Sequence, residues 1–247
     1  MLSFQGEHIL SVNQLDRDCI ERIFAVAKKM EPYAKKQKQT TVLEGAILAN
    51  LFFEPSTRTR VSFGTAFNLL GGGVRETTGM QSSALAKGES LYDTARVISA
   101  YADAVAMRHP DAGSVSEFAD GCTVPVINGG DGPNEHPTQA LLDALTIINR
   151  KGKIEVLKIA ICGDILHSRV ARSNIYLMNM LGAEVNVIAP KTLMPKSIER
   201  MGVKSFTDMK KGLDGCDIVM MLRLQNERMQ GSFLPSKREY YEFYGLT

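Results

Sequence analysis

Apolar residues along the chain gather into short unbroken runs, and between these runs they recur every three to four positions. That is the pattern of buried strands alternating with amphipathic helices. The first helix is expected over residues 14–30, with Ile20, Ile23, Phe24 and Ala27 on one face. The run 46–53 reads as a buried strand, followed by a turn at Glu54-Pro55. Beyond it Phe63, Ala66, Phe67 and Leu70 fall at helical spacing until Gly71-Gly72-Gly73 ends the helix. Residues 74–90 are polar and rich in Gly and Ser, and read as one long connection. Residues 91–102 are expected to be helical, 104–107 a strand ending in Arg108-His109-Pro110, and 114–119 a short helix. A strand over 124–127 runs into Asn128-Gly129-Gly130-Asp131-Gly132. His136-Pro137-Thr138-Gln139 then opens a helix carrying Leu141, Leu142, Leu145 and Ile148.

Lys151-Gly152-Lys153 marks a boundary, and a second alternation follows. Strands are expected over 158–162, 184–189, 203–206 and 218–222, and helices over 168–181, 195–201 and 208–213. Both halves therefore read as α/β, two domains that are each a parallel sheet flanked by helices. The expected division is 1–135, a linking helix 136–150, and 151–247.

Chemistry concentrates where strands end. Ser56 sits where an N-cap belongs, so Ser56, Thr57, Arg58 and Thr59 occupy a helix start just past a strand. Amides there lack partners and the helix dipole favours an anion, while hydroxyls and a guanidinium fork suit phosphate oxygens. The plainer alternative is a capped helix whose arginines face water. Arg108 and His109, His136 and Gln139, Arg169, and Arg223 and Gln225 also follow expected strand ends. Taken singly each has an ordinary surface or capping explanation. Ligands of parallel sheets bind beyond the carboxyl ends of the strands, so the shared placement points to one crevice.

Composition narrows the partners. A formal charge of +2 over 247 residues argues against a nucleic-acid binder, and the basic run 28–38 reads as a solvated helix end. No apolar stretch approaches a membrane span, and the first residues lack the order of a secretory signal. Cys19, Cys122, Cys162 and Cys216 are far apart, form no metal or redox spacing, and read as reduced thiols of a cytoplasmic protein. Neither a G-x-G-x-x-G nor a P-loop follows a strand, which disfavours a nucleotide-binding module.

The same residues carry a resemblance. Residues 52–63 resemble the FFEPSTRTRxSF signature of the aspartate/ornithine carbamoyltransferase family. Residues 83–90 are similar to its SSxxKGES loop. ADAVAMRHP at 102–110, HPTQ at 136–139, GDILHSRVARS at 163–173 and RLQNER at 223–228 resemble further family blocks in the family's order. Thr138 in HPTQ and the sequence Leu222-Arg223-Leu224-Gln225 resemble the aspartate branch rather than the ornithine branch.

What the resemblance implies is transfer of a carbamoyl group from carbamoyl phosphate to L-aspartate in de novo pyrimidine biosynthesis. Ser56, Thr57, Arg58 and Thr59 would bind the phosphate, and Thr59, Arg108 and His136 would donate to the carbamoyl oxygen. Gln139 would hold the carbamoyl nitrogen, and Lys87, Arg169, Arg223 and Gln225 the aspartate. Ser83 and Lys87 would come from a neighbouring subunit of a homotrimer, which regulatory or other pathway subunits can join. No cofactor, metal or cysteine is called for.

Two departures stand out. Gly64 replaces the glutamate usual in the family, at a cost of roughly 1 kcal/mol of helix propensity relative to alanine, and removes a carboxylate able to brace an arginine. The resemblance also implies a further C-terminal segment with a His-Pro-x-Pro-Arg loop that this sequence does not include, so the second sheet is expected to leave an edge strand and apolar surface uncovered. The alternatives are carbamoyl transfer to another amino acid, and a non-catalytic homologue serving as a phosphate-binding or assembly subunit.

Overall fold

The computed structural model describes residues 4–79, 88–229 and 236–246. The chain divides into two units, Met1–Thr138 and Gln139–Thr247, each with a four-stranded sheet in which every pairing is parallel. The expected α/β class, parallel sheets flanked by helices, is what the chain adopts.

In the first unit the strands are β1 (Ile47–Phe52), β2 (Gly73–Thr78), β3 (Ala104–His109) and β4 (Val126–Asp131), in the order β2-β1-β3-β4. The helices are α1 (Arg17–Ala34), α2 (Thr57–Leu69), α3 (Leu91–Ser99) and α4 (Ser114–Asp120). Ala49, Leu51 and Phe53 on β1 and its exit pack in one core with Val105, Met107, Ala95, Val115 and Phe118. Leu48 and Phe52, of opposite parity on β1, are buried too. A strand covered on both faces reads as an unbroken apolar run, which is why β1 was legible. Each fully buried side chain of this size contributes roughly 1.5–3 kcal/mol.

Several expectations need correction. The stretch 74–90 is not one connection, because Gly73–Thr78 is a strand paired with β1. As an edge strand it is mostly exposed, so its polar sequence shows no apolar run, and backbone pairing alone defines it. The first helix starts at Arg17, where Asp16 Oδ1 accepts from Cys19 N, after a separate 3₁₀ turn Val12–Gln14 capped by Ser11. Helix α3 ends at Ser99 rather than 102. Strand β4 extends through Asn128-Gly129-Gly130-Asp131, and a Cβ at Gly129 would stand 3.2 Å from Met107 O.

In the second unit β5 (Lys158–Cys162), β6 (Glu184–Ile188), β7 (Lys204–Phe206) and β8 (Ile218–Met221) lie in the order β7-β6-β5-β8. They are accompanied by α5 (Pro137–Lys151), α6 (Arg169–Met180), α7 (Met209–Leu213) and α8 (Lys237–Tyr244). The helix expected over 195–201 is only a 3₁₀ turn, Ile198–Met201, entered through Ser197 in the left-handed region at φ 57°. Helix α8 had no expected counterpart. Tyr244 packs against the core of Ala160, Cys162 and Ile188 and donates its hydroxyl to Thr207 O at 2.7 Å. Among the described residues β8 is an edge strand, and Val219 and Met221 on it are exposed.

Cys162 is fully buried, and burial pushes its thiol up to about 12. Alkylation by iodoacetamide at pH 8 is therefore expected to spare Cys162 in the native protein and to reach it at least ~10²-fold faster in denaturant. Peptide mass mapping of the modified cysteines checks this.

Candidate functional site

Parallel pairing brings the carboxyl ends of β1, β3 and β4 to one edge of the first sheet, with Phe52 opposite Arg108 and His109 opposite Asp131. From β1 the chain passes through Glu54 and Pro55 to Ser56, the N-cap of α2, at φ −161° and ψ 94°. The first amide of this helix turn with an acceptor is that of Arg60, on Ser56 O at 3.3 Å. The amides of Thr57, Arg58 and Thr59 precede it and have no acceptor in the helix. Ser56 makes no side-chain cap bond to its own helix, so its hydroxyl is left over for another oxygen-rich partner.

A cavity of about 350 Å³ opens here, lined by Phe52, Glu54, Pro55, Ser56, Thr57, Arg60, Thr78 and Gly79. Of the expected phosphate residues it includes Ser56 and Thr57. Arg58 is exposed on α2, and Thr59 is half-buried with its carbonyl taken by Ser62 Oγ.

Arg108 lies inside β3, not after it, and is largely buried. Its Nε donates to Glu54 Oε2 at 2.7 Å, and Nη1 points at Gly129 O at 3.5 Å. A guanidinium so paired is neutralised and aimed before any ligand arrives. In sequence Glu54 shows only as a turn residue within the 52–63 signature. His109 serves the framework: its ring packs edge-on against Phe53, its Nδ1 accepts from Asp111 N at 3.1 Å, and burial lowers its pKa. His136 is buried just before α5, with Nδ1 3.4 Å from Thr138 Oγ1.

Beneath α2 the consequence of Gly64 is visible. A Cβ there would stand 3.6 Å from both Asn50 Nδ2 and Glu76 Oε1. Glu76 reaches across from β2, pairs with Arg60 and accepts from Asn50 Nδ2 at 3.2 Å, while Asn50 Nδ2 also donates to Arg60 O at 3.0 Å. The carboxylate expected to be missing is thus present from a neighbouring strand, and the arginine it braces is Arg60.

In the second unit β5 and β8 end side by side, Cys162 opposite Met221, and Leu222 N donates to Cys162 O at 2.8 Å. Asp164, wholly buried past β5, accepts from His167 N at 3.2 Å and from Gln225 N at 3.0 Å. His167 Nδ1 lies 2.9 Å from its Oδ1, and Arg228 Nη1 donates to His167 O at 3.0 Å. One buried carboxylate therefore holds the turn after β5 to the turn after β8. That brings Gln225 to the turn leading into α6, whose first residue is the buried Arg169. Arg223 is exposed beside them, its Nη1 donating to Leu224 O at 3.2 Å. In sequence Asp164 shows only as a carboxylate directly after a strand and glycine. On α5, Gln139 Nε2 donates to Asp143 Oδ1 at 2.9 Å. Ser83 and Lys87 lie outside the described residues. Among the described residues, no group of three or more His, Cys, Asp or Glu could hold a metal ion, and no helix is long and apolar enough to cross a membrane.

Residues 7–149 match the family model for the carbamoyl-P binding domain of aspartate/ornithine carbamoyltransferases. The aspartate carbamoyltransferase catalytic subunit of Pelagibacter ubique is 58% identical over 100% of this chain and 79% of its own length. That of Saccharophagus degradans is 56% identical over 92% and 71%. The crystal structure of aspartate transcarbamoylase from Trypanosoma cruzi in complex with carbamoyl phosphate and aspartate is similar at a TM-score of 0.84 and 33% identity, covering 92% of this chain and 75% of that one. The catalytic subunit from M. jannaschii gives 0.83 and 39%, covering 96% and 78%.

Because Ser56 does not cap its helix, Ser56→Ala is expected to shift stability by less than about 0.5 kcal/mol, where a working cap costs about 1. The same change is expected to weaken binding of inorganic phosphate roughly tenfold. Chemical denaturation and isothermal calorimetry on the one variant separate the two effects.

Proposed function

We propose, because this chain belongs to the aspartate/ornithine carbamoyltransferase family, that it moves the carbamoyl group of carbamoyl phosphate to the amine of L-aspartate, giving N-carbamoyl-L-aspartate and phosphate. The observation that carries the reading is the start of α2, where open amides and an uncommitted Ser56 hydroxyl border a cavity sized for a small anion. The catalytic-subunit names of the relatives support aspartate as the acceptor.

In this reading Ser56, Thr57, Arg58 and Thr59 bind the phosphate in a domain spanning 1–135. Arg58 offsets the charge that builds on the leaving oxygen. Thr59, Arg108 and His136 donate to the carbamoyl oxygen, which gains negative charge as the carbon becomes tetrahedral. Gln139, on the linking helix 136–150, holds the carbamoyl nitrogen. Arg169, Arg223 and Gln225, in a domain spanning 151–247, orient aspartate through bidentate contacts with its carboxylates. The free amine attacks, the new N–C bond forms, and the C–O bond to phosphate breaks. The departing phosphate accepts the amine proton, so no side chain becomes covalently bound and the atoms balance. Ser83 and Lys87 are supplied by the next subunit of a homotrimer, which acts in the cytoplasm in de novo pyrimidine biosynthesis and is open to regulatory or other pathway subunits.

The test is an assay with radiolabelled carbamoyl phosphate and aspartate, run beside native mass measurement. Labelled carbamoyl-aspartate from a trimer is expected. Arg169→Leu and Arg223→Leu are each expected to raise the aspartate KM by about 10²-fold and to leave carbamoyl-phosphate binding within a few-fold. Binding of carbamoyl phosphate without product points instead to a binding subunit.

A further inference from the structure

We propose that Asp143 is a positioning residue that fixes the Gln139 amide with its carbonyl oxygen outward, so that the site favours a carbamoyl group over an acyl group of the same shape by its N–H donors. The proposal rests on the carbamoyl-phosphate reading above and names what selects that substrate.

Gln139 lies in the first turn of α5 and Asp143 one turn further, an i,i+4 pair on one helix face. Gln139 Nε2 donates to Asp143 Oδ1 at 2.9 Å. Asp143 Oδ2 is occupied by Asn174 Nδ2 of α6 at 2.8 Å, and the same Nδ2 donates to Val170 O at 3.0 Å. Asn174 is completely buried, and both hydrogens of its amide are engaged by acceptors. Turning that amide round would set its oxygen against two others. The order of donors and acceptors is therefore dictated from Val170 O outward: Asn174 must donate, and Asp143, an acceptor on both oxygens when ionised, must receive. Gln139 then has no choice but to give its nitrogen inward. Among the described residues of the second unit, no hydrogen bond reaches its Oε1. Burial raises the Asp143 carboxyl above its ordinary range, and the bonds from Asn174 and Gln139 act against that rise.

An outward carbonyl oxygen is an acceptor. It matches the amino group of a carbamoyl ester and has nothing to bind in an acetyl group, which keeps the carbonyl and phosphate but puts methyl in place of NH₂. A site built around an N–H donor rejects the analogue lacking it, because its own acceptor is left unpaired. If the network merely ties α5 to α6, Asp143 affects stability and leaves this preference untouched.

The experiment measures dissociation constants of carbamoyl phosphate, acetyl phosphate and inorganic phosphate for the full chain, with melting temperatures alongside. The unaltered protein is expected to prefer carbamoyl over acetyl phosphate by about 10- to 100-fold. In Asp143→Asn the new amide must give its one oxygen to Asn174 and present its NH₂ to Gln139, which turns round. The preference is then expected to collapse to about one or to invert, with inorganic phosphate binding unchanged. Asp143→Ala, which frees Gln139 without reversing it, is expected to fall between. Retention of the full preference in either folded variant overturns the proposal, as does equal affinity for the two esters in the unaltered protein. Failure of the unaltered protein to bind carbamoyl phosphate at all sinks the underlying reading instead.

Discussion

Parallel pairing allows a sheet only one arrangement of its ends: neighbouring strands run the same way, so every carboxyl end opens on the same edge. The chain must return along a helix before it can add another strand, and the turns that leave the strands crowd together at that edge. In the first unit this places the start of α2 beside Arg108, because Phe52 and Arg108 are register partners. In the second it places Gly163 and Asp164 beside Leu222, and Asp164 then fastens Gln225. Residues far apart in sequence meet through backbone pairing before any side chain acts.

Charge is balanced locally at that edge. Arg108 faces Glu54 and Arg60 faces Glu76, each carboxylate arriving from a different element than its arginine. Two unit charges 4 Å apart attract by about 4 kcal/mol at an effective dielectric of 20, much of which is offset by lost hydration. The benefit lies in orientation: a guanidinium held by a carboxylate keeps its fork in one plane, and an arriving anion meets a group already aimed. Glu54 also lines the cavity, so any anion entering there meets a fixed negative charge as well as open amides, and binding depends on geometry more than on net charge.

Much of this was legible from sequence where burial leaves a one-dimensional trace. Strand β1 is covered on both faces and reads as an apolar run, and the succession of strand, proline, hydroxyls and arginine gave the start of α2 directly. Strand β2 was invisible because an edge strand with polar side chains is defined by its neighbour's backbone. Helix α8 was invisible for a related reason: its sequence is polar and aromatic, and Tyr244 meets the apolar core only in the folded unit. Glu54, Asp143 and Asp164 were overlooked because a carboxylate that organises other groups looks, in sequence, like any solvated acid. Their partners lie as far away as position 225, and spacing along the chain carries no hint of that.

Gly64 is the only buried residue of α2, so the helix presents bare backbone to its neighbours there. The space beside it is held by Asn50 and Glu76. An alanine fits, whereas a longer side chain at 64 would press on the Asn50 amide and on the carboxylate that braces Arg60. The side chains that suit position 64 therefore depend on what stands at 50 and 76, on the two strands beneath the helix.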